Sequence, residues 1–201
     1  MSLTHQAKMI ILDHFSIQNH QAELAIDCTC GNGHDSVFLA GIAKQLIGFD
    51  IQPQAILSTR QLLKKQQINC NIQLLNVGHE NLLQSLDSKA PKKKADVIMF
   101  NLGYLPKSDN LGITTQANTT KVAINQSMIA LSPQGILTIL CYRGHPQGGE
   151  EFYVVLNEIN KLDSSIWNIE QIDSRFPSES TPVLFVIRRH NNHTKDKNEL
   201  K

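Results

Sequence analysis

The stretch Ala25-Ile26-Asp27-Cys28-Thr29-Cys30-Gly31-Asn32-Gly33-His34-Asp35 constrains this chain more than any other. An apolar run enters it and a helical pattern leaves it. Between them lies a turn with two glycines, and an acid ends the run. That is the outline of a strand–loop–helix nucleotide site, where the backbone must pass close to a ligand. Asp27 and Asp35 flank the turn and would repel a pyrophosphate. The spacing reads Asp-x-Thr-x-Gly-x-Gly, and Ser36 stands where a dinucleotide fingerprint needs a third glycine. A glycine pair after a strand can be plain turn chemistry. The pair together with Asp27 and a second acid, Asp50, each at the end of an apolar run, favours a cofactor loop. A cationic amino group and ribose hydroxyls would suit these acids. S-adenosylmethionine carries both.

The remaining periodicity supplies a sheet for that loop. Strand-like runs fall at residues 23–28, 46–50, 71–76, 95–101, 136–141, 166–173 and 183–189. Helical patterns fall at 3–15, 34–44, 53–66, 79–86, 115–131 and 150–162. Thr4 is the expected cap of the first helix, and Thr114 or Thr115 that of the fifth. Ile56, Leu57, Leu62 and Leu63 are expected to face inward from the third, and Pro133-Gln134-Gly135 to turn the chain into the fifth strand. Alternation of strand and helix implies a parallel sheet with right-handed crossovers, and the closing strand pair adds one antiparallel strand. The expected fold is α/β, Rossmann-like and seven-stranded, in a single domain over residues 1–189. The polar tail 190–201 has no periodicity and is expected to be disordered.

With 201 residues there is room for one sizeable core. No apolar run approaches the ~20 residues of a membrane span, and Met9-Ile10-Ile11-Leu12 is too short for a signal peptide. The expectation is a cytoplasmic protein without a membrane partner. A net charge of +1 excludes a global basic field for non-specific DNA binding, but leaves room for a structured RNA read by a local patch. Cys28, Cys30, Cys70 and Cys141 contain no Cys-x-x-Cys pair, so they are read as reduced core residues, with no metal site.

In an open α/β sheet, ligands bind beyond the carboxyl ends of the strands. That rule places residues 27–35, Asp50, 76–79, 101–109, 143–149 and 174–182 on one face. It places Lys92-Lys93-Lys94 on the other, as a solvated turn. Asn101-Leu102-Gly103-Tyr104 ends the fourth strand. It resembles the Asn-Pro-Pro-Tyr motif of methyltransferases that act on amino nitrogens. The Asn101 oxygen can hold an amine N–H and aim its lone pair, and Tyr104 can stack on a base. Arg143, Lys107 and Arg175 can reach phosphates from the rim of that face, and His145 is assigned to substrate binding. His34 and His79 are expected to pack near the cofactor.

Asp27-x-Thr29-x-Gly31-Asn32-Gly33-His34-Asp35, Asn101-Leu102-Gly103-Tyr104-Leu105-Pro106, and Gly144-His145-Pro146 with Gly148-Gly149-Glu150-Glu151 follow in that order. Together they resemble the YtqB/MnmM family of RNA methylases over about residues 3–189. The resemblance implies a class I S-adenosylmethionine-dependent methyltransferase fold with strand order 3-2-1-4-5-7-6. It implies methylation of the amine of 5-aminomethyl-2-thiouridine at the tRNA wobble position, with the anticodon region as partner and S-adenosylhomocysteine as by-product. By that resemblance Asp27, Thr29, Gly31, Asn32, Gly33, His34 and Asp35 cradle the methionine part. Asp50 and Gln52 hold the ribose, Gly78 and His79 the adenine edge, and Asn101 and Tyr104 the amine. Lys107-Ser108 departs from the family's usual Gly-Gly. Rival readings are another RNA amino-group methyltransferase acting on rRNA, a nicotinamide-dependent oxidoreductase, and a non-catalytic RNA-binding scaffold. The sequence also leaves a homodimer open.

Overall fold

The computed structural model describes residues 1–18, 20–87, 94–103 and 114–190. Tyr104, Lys107, Lys92, Lys93 and the tail from residue 191 lie outside the described residues. The elements run α1 (Leu3–Gln18), β1 (Ala22–Asp27), α2 (His34–Ile42), β2 (Ala43–Phe49), α3 (Pro53–Lys65) and β3 (Asn71–Leu75). A 3-10 turn (His79–Asn81) leads into α4 (Leu82–Asp87). Then come β4 (Ala95–Leu102), α5 (Ala117–Ala130), β5 (Leu131–Cys141), α6 (Gly148–Asn160), β6 (Trp167–Asp173) and β7 (Val183–Arg189).

All seven strands form one sheet in the order β3-β2-β1-β4-β5-β7-β6. Only β7 runs against its neighbours. This is the expected class I methyltransferase topology. The central strands are apolar on both faces because helices cover both faces. Leu24, Ile26, Ile98, Phe100, Leu137 and Ile139 pack toward α4, α5 and α6. Their strand neighbours Ala25, Val97, Met99, Ile136 and Leu140 pack toward α1, α2 and α3. The pleat makes this division: successive side chains point to opposite faces.

Several local expectations are revised. Ser2 Oγ, not Thr4, accepts a first-turn N–H of α1, from His5 at 3.3 Å. In α3 the buried residues are Ala55, Ile56, Thr59 and Leu63, while Leu57 faces solvent. Pro53 occupies the first turn of α3, and Lys64 and Lys65 its last, where their charges complement the helix dipole. β5 begins at Leu131, ahead of Pro133-Gln134-Gly135. The turn residues are accommodated inside the strand as a bulge, since the register jumps from Ala95↔Leu131 to Val97↔Ile136. The bulge docks on α1, where His14 Nε2 donates to Gln134 O at 2.7 Å. At the end of β7 the His190 N–H donates to Ile166 O at 2.9 Å. Among the described residues no helix is long and apolar enough to cross a membrane.

Candidate active site

The glycine loop is held by its neighbours on both sides. Cys28 N–H donates to Met99 O on β4 at 2.9 Å, and Cys30 N–H to Phe49 O on β2 at 3.0 Å. Gly31 N–H donates to Asp50 Oδ2 at 2.9 Å. Thr29 Oγ1 accepts the Asn101 N–H at 2.8 Å. The loop is therefore tied to both strands that flank β1. Gly33, at φ +85°, turns the chain into α2. A Cβ there would stand 2.7 Å from the Thr59 Cα, so this position requires glycine on both counts.

Beyond these strand ends lies a cavity of about 430 Å³, within the size range of small-molecule sites. Of the expected cofactor residues, Thr29, Gly31, Asn32, His34, Asp35, Asp50, Gln52, Gly78, His79 and Asn101 line it. Asp27 and Gly33 do not. Asp27 is fully buried behind the loop, where Oδ1 accepts the Thr29 N–H at 3.1 Å and Oδ2 the Ser36 hydroxyl at 2.6 Å. It supports the loop from beneath and does not line the cavity. Burial, and then the charge of Asp35, push its carboxyl up to about 7.

Asp50 accepts the N–H groups of Gly31 and Gln52, each at 2.9 Å. A carboxylate has about four lone-pair positions, so two remain for ligand hydroxyls. Partial burial raises its pKa, and the two N–H bonds oppose the rise. His79 faces the cavity from below. Its Nδ1 lies 3.1 Å from Cys28 O, which can only accept, so Nδ1 carries the proton. Burial lowers its pKa, leaving a neutral ring whose buried Nε2 is an acceptor without a partner.

Asn101 and Asp35 face each other across the loop. Asn101 Nδ2 donates to Asp35 Oδ2, and Lys8 of α1 forms an ion pair with Asp35 Oδ1 at 2.6 Å. The acceptor-only carboxylate fixes the amide's orientation. Asn101 Oδ1 is left buried and without a partner. The wall thus carries the carboxylates of Asp35 and Asp50, the His79 nitrogen and the Asn101 oxygen, all acceptors. Lys8, the cation beside them, is already paired. The two carboxylates in this wall, Asp35 and Asp50, fit a cationic, hydroxyl-bearing ligand such as S-adenosylmethionine and disfavour a pyrophosphate.

The sequence reading missed several wall residues. Thr4 lines the cavity from α1, its hydroxyl 3.1 Å from the Tyr142 hydroxyl. Cys28 and Cys30, read as plain core, also line it, with free thiols. Thr114 and Thr115 do not cap α5. The Thr114 hydroxyl donates to Gly103 O at 3.0 Å, and the Thr115 hydroxyl to the buried Glu151 at 2.7 Å. Of the expected rim residues, Arg143 is taken up by the protein: Nε donates to Thr181 O at 2.7 Å and its NH2 nitrogen to Ser178 O at 2.6 Å. Its guanidinium stacks on Phe152, 4.7 Å from the ring centre. It staples the 174–182 loop with two of its five N–H donors. Arg175 is exposed, and His145 lies near Glu151. Lys94, from the far-side lysines, donates to Ile129 O at 2.5 Å. Among the described residues no cluster of metal-ligating side chains occurs.

The family described as "Putative rRNA methylase" matches residues 46–188. A "tRNA (mnm(5)s(2)U34)-methyltransferase, chloroplastic" of Arabidopsis thaliana is 30% identical over 187 residues. The match covers 85% of this chain but only 65% of that protein, so the chain spans less than two thirds of its length. A structure described as a "putative rRNA-methylase" from Clostridium thermocellum has a TM-score of 0.77 and 32% identity, covering 89% of this chain and 96% of that one. A "putative methyltransferase" from Streptococcus mutans, solved in complex with S-adenosylhomocysteine, has a TM-score of 0.75 and 33% identity, covering 90% and 97%.

Proposed function

The chain belongs to this rRNA methylase family, and from that premise we propose that it transfers a methyl group from S-adenosylmethionine to the amine of 5-aminomethyl-2-thiouridine at the tRNA wobble position. The product is 5-methylaminomethyl-2-thiouridine. The Arabidopsis relative's description supports the choice of tRNA and of this nucleoside.

The observation that carries the reading is the Asn101 amide. Its Nδ2 is committed to Asp35, and its buried Oδ1 has no partner. A buried acceptor without a partner costs roughly 1–3 kcal/mol. A neutral primary amine recovers that cost by donating one N–H, and it keeps its lone pair free for attack. When bound, S-adenosylmethionine supplies an electrophilic methyl group on its sulfonium. Asp50 and Gln52 hold the ribose, Gly78 and His79 the adenine edge. Thr29, Gly31, Asn32 and Asp35 hold the methionine part, with Asp27 and Gly33 acting from behind the loop. His34 packs beside it. Asn101 orients the amine, and Tyr104 stacks on the base. The methylated amine is stable as an ammonium ion at neutral pH, so no strong general base is required.

Nucleoside mass spectrometry tests this directly. Hypomodified tRNA and unmodified rRNA, each incubated with the protein and methyl-labelled S-adenosylmethionine, should give label only in the 5-methylaminomethyl-2-thiouridine of the tRNA. Label confined to rRNA nucleosides would favour the rRNA alternative, and no label in any RNA would favour a scaffold.

A further inference from the structure

The loop between β6 and β7 has a feature that the cofactor cavity does not explain. Phe176 at its tip is 78% exposed. The Arg175 guanidinium lies 5.5 Å from the Phe176 ring centre. A lone exposed apolar residue is ordinary, but this one stands on a loop that is fixed from several sides. Ser174 Oγ donates to Pro182 O at 2.9 Å and closes the neck. Ser178 N–H donates to Thr181 Oγ1 at 2.9 Å. Arg143 spans the loop's inner side through Thr181 O and Ser178 O. Pro177 directly after Phe176 further restricts the tip.

Position adds the second argument. Val183 pairs with Cys141 at the carboxyl end of β5, so the loop rises on the face that holds the cavity. Arg143, its staple, directly follows Tyr142 of the cavity wall. From Arg175 to Ser180 the surface is exposed, and beside Phe176 and Pro177 it carries Arg175, Ser178, Glu179 and Ser180. Its charged and polar residues are poorly suited to the apolar core of a stable interface between copies. A rigid aromatic ring with an adjacent guanidinium is instead the arrangement that holds an unpaired base and its phosphate.

We propose that this loop is an RNA-docking element, in which Phe176 stacks an unpaired base near the target nucleotide and Arg175 contacts a phosphate. The inference rests on the reading of the substrate as RNA. Arg143 is its positioning residue.

The test uses an RNA hairpin with the wobble-position amine in its loop. Affinity is read by fluorescence anisotropy, and methyl transfer separately. Phe176→Ala should weaken hairpin binding about 5- to 150-fold, the range for one lost stacked base, and Phe176→Trp should restore it. Arg175→Ala should lower the salt slope of binding by about one. Arg143→Ala should weaken binding with an unchanged slope. S-adenosylhomocysteine affinity should stay the same in all. Wild-type affinity in Phe176→Ala, with methyl transfer intact, overturns the inference and leaves the proposed function standing. Weakened binding in Phe176→Ala, when the wild type transfers no methyl group, overturns the function and leaves the docking element standing. A wild type that does not bind the hairpin overturns both. If Phe176→Ala instead converts a dimer to monomer by sedimentation, the loop is an interface between copies and the inference falls.

Discussion

Asp27→Asn should remove a pH dependence from folding that the wild type carries. The Asp27 carboxyl rises from 3.8 to about 7 in the folded chain, because it is fully buried and faces the charge of Asp35. Between those two values the folded state holds a proton that the unfolded state has released. Stability from this group is therefore complete below the unfolded value, falls as pH rises toward the folded one, and is level above it. At about 1.4 kcal/mol per pKa unit, the wild type should lose about 3 kcal/mol from this group between pH 5 and pH 8. The substitution suits the site. An Asn side chain still accepts the Thr29 N–H and can donate to Ser36 Oγ, whose hydroxyl can rotate. Asp50 and Glu151, also raised by burial, titrate in both proteins and largely cancel in the difference. Urea unfolding of both proteins at the two pH values gives the comparison. A wild-type-minus-variant difference that does not change with pH would refute the reasoning, because the bonds from Thr29 and Ser36 would then outweigh burial and keep Asp27 ionised throughout.

Asp50→Ala should weaken S-adenosylmethionine binding by roughly 1.5–3 kcal/mol for each charge-assisted bond lost, measured by calorimetry; unchanged affinity removes Asp50 from the site. Asn101→Ala should lower kcat far more than cofactor affinity, since aiming an amine matters most in the transition state; activity within a few-fold of wild type would sink the amine reading. Gly33→Ala should destabilise the fold by about 1–3 kcal/mol, from overpacking against the Thr59 backbone together with the left-handed backbone angle, read as a lowered urea midpoint. Lys94→Ala should leave hairpin affinity and its salt slope unaltered, because Lys94 is engaged with Ile129 O at 2.5 Å; a loss of affinity would place RNA on the opposite side of the sheet.

The elements and the parallel sheet were legible because each βαβ unit announces itself locally as an apolar strand, a polar turn and an amphipathic helix, whereas the strand order came only with the family resemblance. The cofactor loop was legible because glycines and acids at strand ends serve chemistry that short spacing can express. What stayed hidden depends on distant partners. Arg143 reads as a free cation until its two carbonyl acceptors in the 174–182 loop are seen. Asp27 reads as a cavity-wall residue until its full burial behind the loop is seen, with its oxygens accepting from Thr29 and Ser36. Thr114 and Thr115 have the composition of a helix cap, but Gly103 and Glu151 lie within reach of them. Pro133-Gln134-Gly135 carries real turn chemistry, yet a bulge absorbs it without ending β5. In each case local preference was sound, and a contact far along the chain redirected it.

The seat of α1 has a consequence during synthesis on the ribosome. Leu3, Ala7, Ile11 and Phe15 pack in the same layer as Ile136, Leu140, Leu184 and Val186, and Thr4 meets Tyr142 across 138 residues of chain. A nascent chain that has emerged only as far as β4 has the glycine loop and α2, which Lys8 touches at His34 O and Phe38, but lacks the β5 and β7 part of the seat that holds this helix. Ligand capture should therefore appear late and abruptly as the emerging chain lengthens, once β5 and β7 clear the exit tunnel. The partly made protein would be spared from sequestering a cofactor that it cannot yet use.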